Sequence, residues 1–188
     1  MQAFQIFIAH MDNTILYAVQ SIGSMWYYPA AFISDIVFST HWLAPILALS
    51  LFLIGKKRVA LEIVLIFVVA TGVILGGKEL IQAPRPYWVD SQVIQYATDP
   101  DFGMPSGHAL VSVVILGWVW FRHPKSKILL ITIPLFILII GWSRVYLGLH
   151  YPSQVIVGWI LGGLLLGFFL WLDRWYFRPR SNYIRRGL

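Results

Sequence analysis

The sequence predicts an all-α fold, a polytopic membrane helix bundle with about five transmembrane helices and an N-terminal interfacial amphipathic segment. Hydrophobic residues make up 59% of the chain and charged residues 12%, whereas soluble domains contain about 25% charged residues. Several apolar runs approach the roughly 20 residues that a helix needs to cross a bilayer. Basic residues gather between these runs. Together the three observations predict a single membrane domain.

The first 38 residues form the first predicted element. Their apolar residues recur at partly helical spacing, interrupted by His10, Asp12 and Asn13. This pattern indicates an amphipathic segment, residues 1–38, lying at the outer membrane interface. A first transmembrane helix is the alternative interpretation.

Five apolar runs follow, and each predicts a membrane-spanning helix. They cover residues 39–55, 59–77, 107–121, 126–145 and 152–172. Residues 39–172 therefore form the predicted transmembrane core. A long polar loop, residues 78–106, joins the second and third spans, and loops of this length in small proteins usually have a function.

The basic residues orient the predicted bundle. Eleven of the fourteen lie on one side of a five-span arrangement, which the positive-inside rule makes cytoplasmic. The C-terminal residues 173–188 then form a basic cytoplasmic tail. Because this placement accounts for the net charge of +6, the charge does not predict a nucleic-acid partner. The eleven residues are Lys56, Lys57, Arg58, Arg122, Lys125, Lys127, Arg174, Arg178, Arg180, Arg185 and Arg186.

The three remaining basic residues belong to three motifs on the opposite face. The motifs are Lys78-x6-Arg85-Pro86, Pro105-Ser106-Gly107-His108 and Ser143-Arg144-x5-His150. They bring three cations and two imidazoles to one membrane face. Such a set is typical of an enzyme that binds a phosphate group and breaks a phosphoester.

Each motif suits part of that chemistry. Ser106 and Gly107 precede an apolar helix, whose N-terminal N–H groups favour an anion. His108 then lies beside the anion, within reach of a leaving oxygen, and a neutral His150 is a credible nucleophile towards phosphorus. Taken singly, a terminal Arg or Lys often only snorkels to the interface, and Ser-Gly is often only a helix cap. The shared face and the complementary residue types favour the catalytic interpretation.

A metal site is not predicted. The chain contains no Cys, and no carboxylate or third histidine near His108 and His150 completes a familiar ligand set. Three cations in the same pocket would also repel a metal ion.

The three motifs, in this order and spacing, resemble the type 2 phosphatidic acid phosphatase superfamily, over roughly residues 12–170. The resemblance implies a helical membrane core with a site that needs no metal or other cofactor and faces away from the cytosol. It implies that His150 attacks phosphorus to form a phosphohistidine, with His108 as general acid and base. The implied phosphate-binding residues are Lys78, Arg85, Ser106, Gly107 and Arg144.

One position departs from the family pattern. The family usually has Asp four residues after the nucleophilic histidine, where this chain has Gln154. The usual Asp accepts a hydrogen bond from the imidazole and stabilises its positive charge. Gln154 lies one helical turn from His150 and can still accept that bond without supplying charge. Glucose-6-phosphatase and dolichyl-pyrophosphate phosphatase relatives resemble this chain in carrying Gln here, so we expect an active enzyme.

The leading functional expectation is an integral membrane phosphatase acting on a lipid phosphate or lipid pyrophosphate at the non-cytoplasmic face. Its partners would be that substrate and membrane lipids, and the oligomeric state is left open. The alternatives are a phosphatase of a soluble sugar phosphate, a lipid phosphotransferase and a non-catalytic lipid-phosphate-binding protein. The compact length favours a bacterial inner membrane, with the site facing the periplasm or outside and the C-terminus in the cytoplasm.

Overall fold

The structure, a computed structural model, describes residues 2–37, 43–122 and 124–174. These residues form helices joined by loops and include no strand, which confirms the predicted all-α class. The α-helices are α1 (Gln2–Gln20), α2 (Tyr27–Ala31), α3 (Leu43–Leu53), α4 (Lys57–Ile81), α5 (Pro86–Val89), α6 (Gly107–Arg122), α7 (Lys127–Tyr146) and α8 (Pro152–Leu172), and a 3-10 helix, Ser24–Trp26, and a π-helix, Phe32–Val37, flank α2. Residues 38–42, at the junction of the predicted N-terminal segment and first span, and most of the predicted tail lie outside the described residues.

The five predicted spans correspond to α3, α4, α6, α7 and α8. Within the described residues, three segments are long and apolar enough to cross a membrane, namely Lys57–Val89, Lys127–Tyr146 and Pro152–Leu172. Two shorter apolar segments, Ala44–Leu53 and Gly107–Arg122, accompany them. At 1.5 Å per residue α6 covers only about 24 Å, so the helix of the third span is short.

The outward surfaces of the long helices are apolar. Large aliphatic side chains of α4 and α7 are exposed although they belong to regular helices, which suits contact with lipid rather than water. These exposed residues are Leu61, Leu65, Val68, Leu75, Ile128, Ile131, Leu135 and Leu138.

Helices α6 and α8 pack closely because glycines of α8 face the backbone of α6. A Cβ added at Gly158 would lie 2.6 Å from the carbonyl oxygen of Ser106. One added at Gly162 would lie 2.7 Å from the carbonyl oxygen of Leu110. Small residues four positions apart allow such close approach between membrane helices. The packing fixes the start of α6 against the first turns of α8.

The N-terminal helix α1 packs on α7 and α8. Asp12 Oδ1 accepts a 2.8 Å bond from the backbone N–H of Ser153, in the first turn of α8. Gln20 Nε2 donates to the carbonyls of Ile94 (2.7 Å) and Tyr146 (3.0 Å). The segment that the sequence predicts at the interface is thus bonded to the helices that carry the motifs.

Candidate active site

The three sequence motifs meet at one end of the bundle, where α4 and α7 end and where α6 and α8 begin. Lys78 lies in the last turn of α4, and Arg144 in the last turn of α7. Ser106 directly precedes α6, and His150 lies two residues before α8. Arg85 lies in the connection after α4 and is fully buried. The structure therefore brings together residues that are up to 72 positions apart in the sequence, from 78 to 150.

Arg85 is the most extensively bonded of the three cations. Its Nε donates to the carbonyl of Asp101 at 2.7 Å, and its Nη1 to the carbonyl of Leu149 at 2.9 Å. The same Nη1 lies 3.4 Å from His150 Nε2. A planar guanidinium fixed on several sides keeps its position and its charge, so a positive group is held beside the His150 ring.

Two carboxylates from the polar loop contact the three cations. Asp101 pairs with Lys78 at 2.6 Å and also with Arg85. Asp99 Oδ2 lies 2.9 Å from Arg85 Nη2 and 3.6 Å from Arg144 Nη2. Partial burial alone would raise the pKa of Asp101, but its bonds to Lys78 and Arg85 outweigh that effect and lower the pKa. Asp101 is therefore ionised at neutral pH.

The ring orientation of His150 is set by a backbone carbonyl. Its Nδ1 lies 2.8 Å from the carbonyl oxygen of Gly103 and 3.3 Å from Gln154 Oε1. Because a carbonyl oxygen only accepts hydrogen bonds, Nδ1 carries the proton in the neutral ring. The lone pair then resides on Nε2, which faces Arg85.

Gln154 is held on two other sides. Its Nε2 donates to the carbonyl of Pro84 at 2.8 Å, and its Oε1 accepts a 3.2 Å bond from the backbone N–H of Tyr151. A Cβ added at Gly103 would lie 2.5 Å from Gln154 Oε1, so only glycine allows this amide to pack there. Gln154 thus links the start of α8 to the connection that carries Arg85.

Burial and nearby positive charge both act on His150. The ring is 1% exposed, and burial lowers its pKa well below the ordinary value, with further lowering by Arg144, Arg85 and Lys78 and by His108. His150 is therefore neutral at neutral pH. His108, in the first turn of α6, is half-buried and close enough to affect His150 electrostatically.

The start of α6 provides further donors. Ser106 is buried, and its hydroxyl has no hydrogen-bond partner among the described residues. Its backbone N–H donates to the carbonyl of Gln154 at 3.2 Å. Gly107 begins the helix, where free N–H groups and the helix dipole favour an anion. The hydroxyl and the helix end lie on the same side as the three cations.

The loop between α7 and α8 places His150 next to Arg144. The backbone N–H groups of Leu149 and His150 donate to the carbonyl of Arg144, at 3.2 and 3.3 Å. Gly148 has a positive φ of 76°, a conformation that favours glycine, and it reverses the chain within this loop. The spacing of five residues in the third motif is therefore the length of one tight turn.

Arg144 also contacts the N-terminal segment. Its Nη1 donates to Ser34 Oγ, and Ser34 is fully buried. The segment thus contributes a hydroxyl beside a site cation. In the described part of the chain, no group of three or more His, Asp and Glu side chains is arranged as a metal site.

A comparison with protein families identifies this arrangement. Residues 59–178 match the PAP2 superfamily. The chain is a member of the PAP2 superfamily. This match covers more than half of the 188 residues and confirms the resemblance predicted from the three motifs.

Individual PAP2 relatives act on lipid phosphates according to their names. An undecaprenyl-diphosphatase of Sulfolobus acidocaldarius is 32% identical over 129 residues, which cover 63% of this chain and 57% of that protein. Lipid phosphate phosphatase delta of Arabidopsis thaliana is 29% identical over 139 residues, covering 65% of this chain and 32% of that protein. The chain spans less than two thirds of either relative.

A solved PAP2 structure shares the fold. The crystal structure of a transmembrane PAP2-type phosphatidylglycerolphosphate phosphatase from Bacillus subtilis superposes with a TM-score of 0.77 at 24% identity. The superposition covers 96% of this chain and 90% of that one. It confirms the predicted membrane helix bundle, so the protein is an integral membrane protein of a phosphatase superfamily.

Sequence reasoning missed four residues at this PAP2 site. Asp99 and Asp101 lie in the polar loop that the sequence singled out, but nothing in the pattern paired them with the cations. Gly103 acts through its backbone carbonyl, which has no side-chain signature. Ser34 lies in a segment that was predicted to be separate from the core. The Met-Pro-Ser-Gly context of the second motif was the available signal for Gly103, because it places that carbonyl just ahead of α6.

Proposed function

We propose that this protein is a membrane phosphatase that hydrolyses a lipid phosphate or lipid pyrophosphate through a phosphohistidine on His150. The observation that carries the proposal is the geometry of one ring. His150 Nδ1 is bonded to Gly103 at 2.8 Å, and Nε2 lies 3.4 Å from a buried guanidinium. A neutral nitrogen nucleophile thus lies beside a cation that can hold the phosphate it attacks.

In the first step His150 Nε2 forms a bond to phosphorus as the bond from phosphorus to the leaving oxygen breaks. His108 gives its proton to that oxygen. In the second step a water molecule, deprotonated by His108, attacks the phosphohistidine, and the electron pair returns to Nε2. The Nδ1–H bond to Gly103, with Gln154 Oε1 at 3.3 Å, supports the positive charge that the ring carries in the intermediate.

The phosphate oxygens would be held by Lys78, Arg85 and Arg144, together with the Ser106 hydroxyl and the Gly107 N–H. Negative charge spreads over the equatorial oxygens in the transition state, and cations fixed in advance stabilise it. Three cations supply the charge that a metal ion would otherwise provide and would repel such an ion. The proposed reaction therefore needs no metal and no other cofactor.

The relatives' names support a lipid substrate, and the exposed apolar helices support access from the bilayer. The site would face the periplasm or outside of a bacterial inner membrane, since most basic residues lie at the other end. We assign residues 39–172 to the catalytic core, residues 1–38 to the interfacial segment and residues 173–188 to the cytoplasmic tail.

Phosphate release by the purified protein in detergent, without added metal and with EDTA, tests the proposal. The substrates are a polyprenyl pyrophosphate, phosphatidic acid, phosphatidylglycerophosphate and glucose 6-phosphate, with His150→Ala as control. We expect turnover of a lipid substrate that His150→Ala abolishes. Preference for glucose 6-phosphate would instead indicate a sugar phosphatase, and a newly phosphorylated lipid a transferase. Vanadate binding without any turnover would indicate a binding protein.

A further inference from the structure

A short stretch of the polar loop covers the cations of the site. We call Asp99, Pro100 and Asp101 the acidic strap. Asp101 pairs with Lys78 and Arg85, and Asp99 with Arg85 and Arg144. Every cation assigned to the phosphate is therefore in contact with a carboxylate of the strap.

The strap occupies the positions that phosphate oxygens would need. Arg85 directs Nη2 to both carboxylates, while Nε and Nη1 donate to the carbonyls of Asp101 and Leu149. No edge of this guanidinium is left for a phosphate in the described structure. A phosphate can form a charge-assisted bond to Arg85 only after a carboxylate has moved away.

The carboxylates of the strap lie closer to water than the cations that they contact. The side chains of Asp99 and Asp101 are 32% and 44% exposed, whereas those of Lys78, Arg85 and Arg144 are 8%, 0% and 3% exposed. The carboxylates already reach water, so a small displacement hydrates them, while the cations stay buried. The strap is thus the movable half of each ion pair.

We propose that Asp99 and Asp101 are specificity-determining residues that act as an intramolecular competitor for the phosphate site. The inference rests on the proposed function, because it assumes that Lys78, Arg85 and Arg144 bind the phosphate of the substrate. Every anion that enters must displace the strap, so the apparent affinity of each is lowered. Only anions with a high intrinsic affinity then occupy the site.

The charge of an anion decides whether its intrinsic affinity is high enough to displace the strap. A phosphomonoester dianion replaces two carboxylate charges with two phosphate charges, and a diphosphate brings more. A phosphodiester monoanion replaces two charges with one and leaves a buried cation without its counter-charge, which is costly. Phosphodiester headgroups form most of a phospholipid surface. The strap would therefore keep the site from being filled by the surrounding bilayer.

Binding of small phosphates to the purified full chain in detergent tests this inference. The probes are methyl phosphate and dimethyl phosphate, measured by calorimetry at a mildly alkaline pH at which the monoester is a dianion. The variants are Asp99→Asn/Asp101→Asn and the single Asp101→Asn. We expect the double variant to bind methyl phosphate about tenfold more tightly, with a smaller gain in the single variant, and dimethyl phosphate to become a measurable ligand.

Glu79→Gln is the matched control. Glu79 directly follows Lys78, is exposed and takes part in no ion pair among the described residues. Like Asp101→Asn, the Glu79→Gln variant removes one negative charge from this end of the bundle. A general gain in anion attraction would therefore appear in Glu79→Gln as well. We expect its affinity for both probes to stay within about twofold of wild type.

Unchanged or weaker methyl phosphate binding in the double variant would overturn the inference, because the carboxylates would then position the cations rather than compete for them. If the double variant does not fold, the change in methyl phosphate affinity of the single variant decides in the same way. If the wild-type protein hydrolyses lipid phosphate but the variants show no gain in affinity for the probes, this inference alone is wrong. A wild-type protein that binds neither probe and hydrolyses none of the substrates defeats the proposed function too.

Discussion

Both ends of the helix bundle carry a cluster of charged side chains, and the two clusters differ in balance. At the site end Lys78, Arg85 and Arg144 face two carboxylates, Asp99 and Asp101, so one positive charge remains. In the ion-paired cluster at the far end two cations face two carboxylates, and the charges within this cluster cancel. The four groups of the far cluster are Arg58, Arg122, Glu62 and Asp173.

In this membrane protein, charge balance and burial distinguish a structural ion-pair cluster from a binding site. The far cluster ties α4, α6 and the end of α8 together, and Arg58 is largely exposed. The site cluster keeps its cations buried and its carboxylates partly in water, and it lies beside a neutral imidazole. Excess buried positive charge next to a nucleophile indicates an anion site, whereas balanced charge indicates cohesion.

The largest effect should come from removing His150, the proposed nucleophile of the site cluster. His150→Ala deletes the ring that forms the phosphorus–nitrogen bond in the proposed mechanism, so we expect turnover to fall by at least about 10³-fold. Steady-state phosphate release measures this loss, and the thermal unfolding midpoint shows whether the fold persists. Substantial activity in a folded His150→Ala protein would contradict the assignment of the site cluster as the active site, because the chemistry would then lie elsewhere.

A matched pair of arginine substitutions compares the two ends directly. Arg85→Gln should lower turnover by about 10²-fold, because it removes charge stabilisation from the transition state. Arg122→Gln should leave turnover nearly unchanged and lower the free energy of unfolding by about 1–3 kcal/mol, because it leaves carboxylates without their partner. Activity assays and denaturant unfolding of both variants give the result. An inactive but fully stable Arg122→Gln protein would contradict the assignment of the far cluster.

Gln154 tests how the ring of His150 is held. We expect Gln154→Ala to lower turnover by about tenfold, since the 2.8 Å bond to Gly103 remains while the amide contact is lost. Gln154→Asp should also lower turnover. The amide Nε2 of Gln154 donates to the Pro84 carbonyl, and a carboxylate would repel that carbonyl instead. Turnover equal to wild type in Gln154→Ala would remove Gln154 from the site, and a strong increase in Gln154→Asp would show that the native site is a weakened one.

The smallest effect concerns pH. Burial and the excess positive charge lower the pKa of His150, so the folded protein keeps this ring neutral well into the acid range, while the unfolded chain binds a proton near the ordinary histidine value. His150 therefore reduces folding stability as pH falls below that value and has no such effect above it. Histidine NMR titration, with the signal assigned through His150→Ala, measures the shift. Titration near the ordinary value would contradict a site with excess positive charge.

The sequence predicted the bundle well because hydrophobic run length and motif position are local properties. Each of the five predicted spans contains a helix within the described residues, and the helix of the third span runs from Gly107 to Arg122. The strongest site predictions came from charged side chains that a membrane protein would otherwise place at the cytoplasmic face. Lys78, Arg85 and Arg144 stood out because they are the exceptions to that bias.

The remaining features depend on contacts over long sequence distances. The pairing of Asp99 with Arg144 and the bond from His150 to Gly103 join residues 45 and 47 positions apart. Neither leaves a periodic trace in the chain. A backbone carbonyl in particular can serve as an acceptor whatever its side chain, so Gly103 becomes visible only through the fold.

The hydrogen bonds of α1 limit the order in which its contacts can form during synthesis. This helix precedes its partners along the chain: Tyr17 bonds to Asp90, Gln20 to Ile94 and Asp12 to Ser153, which is 141 positions later. A residue cannot bond to a partner that the ribosome has not yet added. The contacts of α1 are therefore complete only after the start of α8 has been synthesised, and a truncated chain lacking α8 would leave Asp12 without that partner.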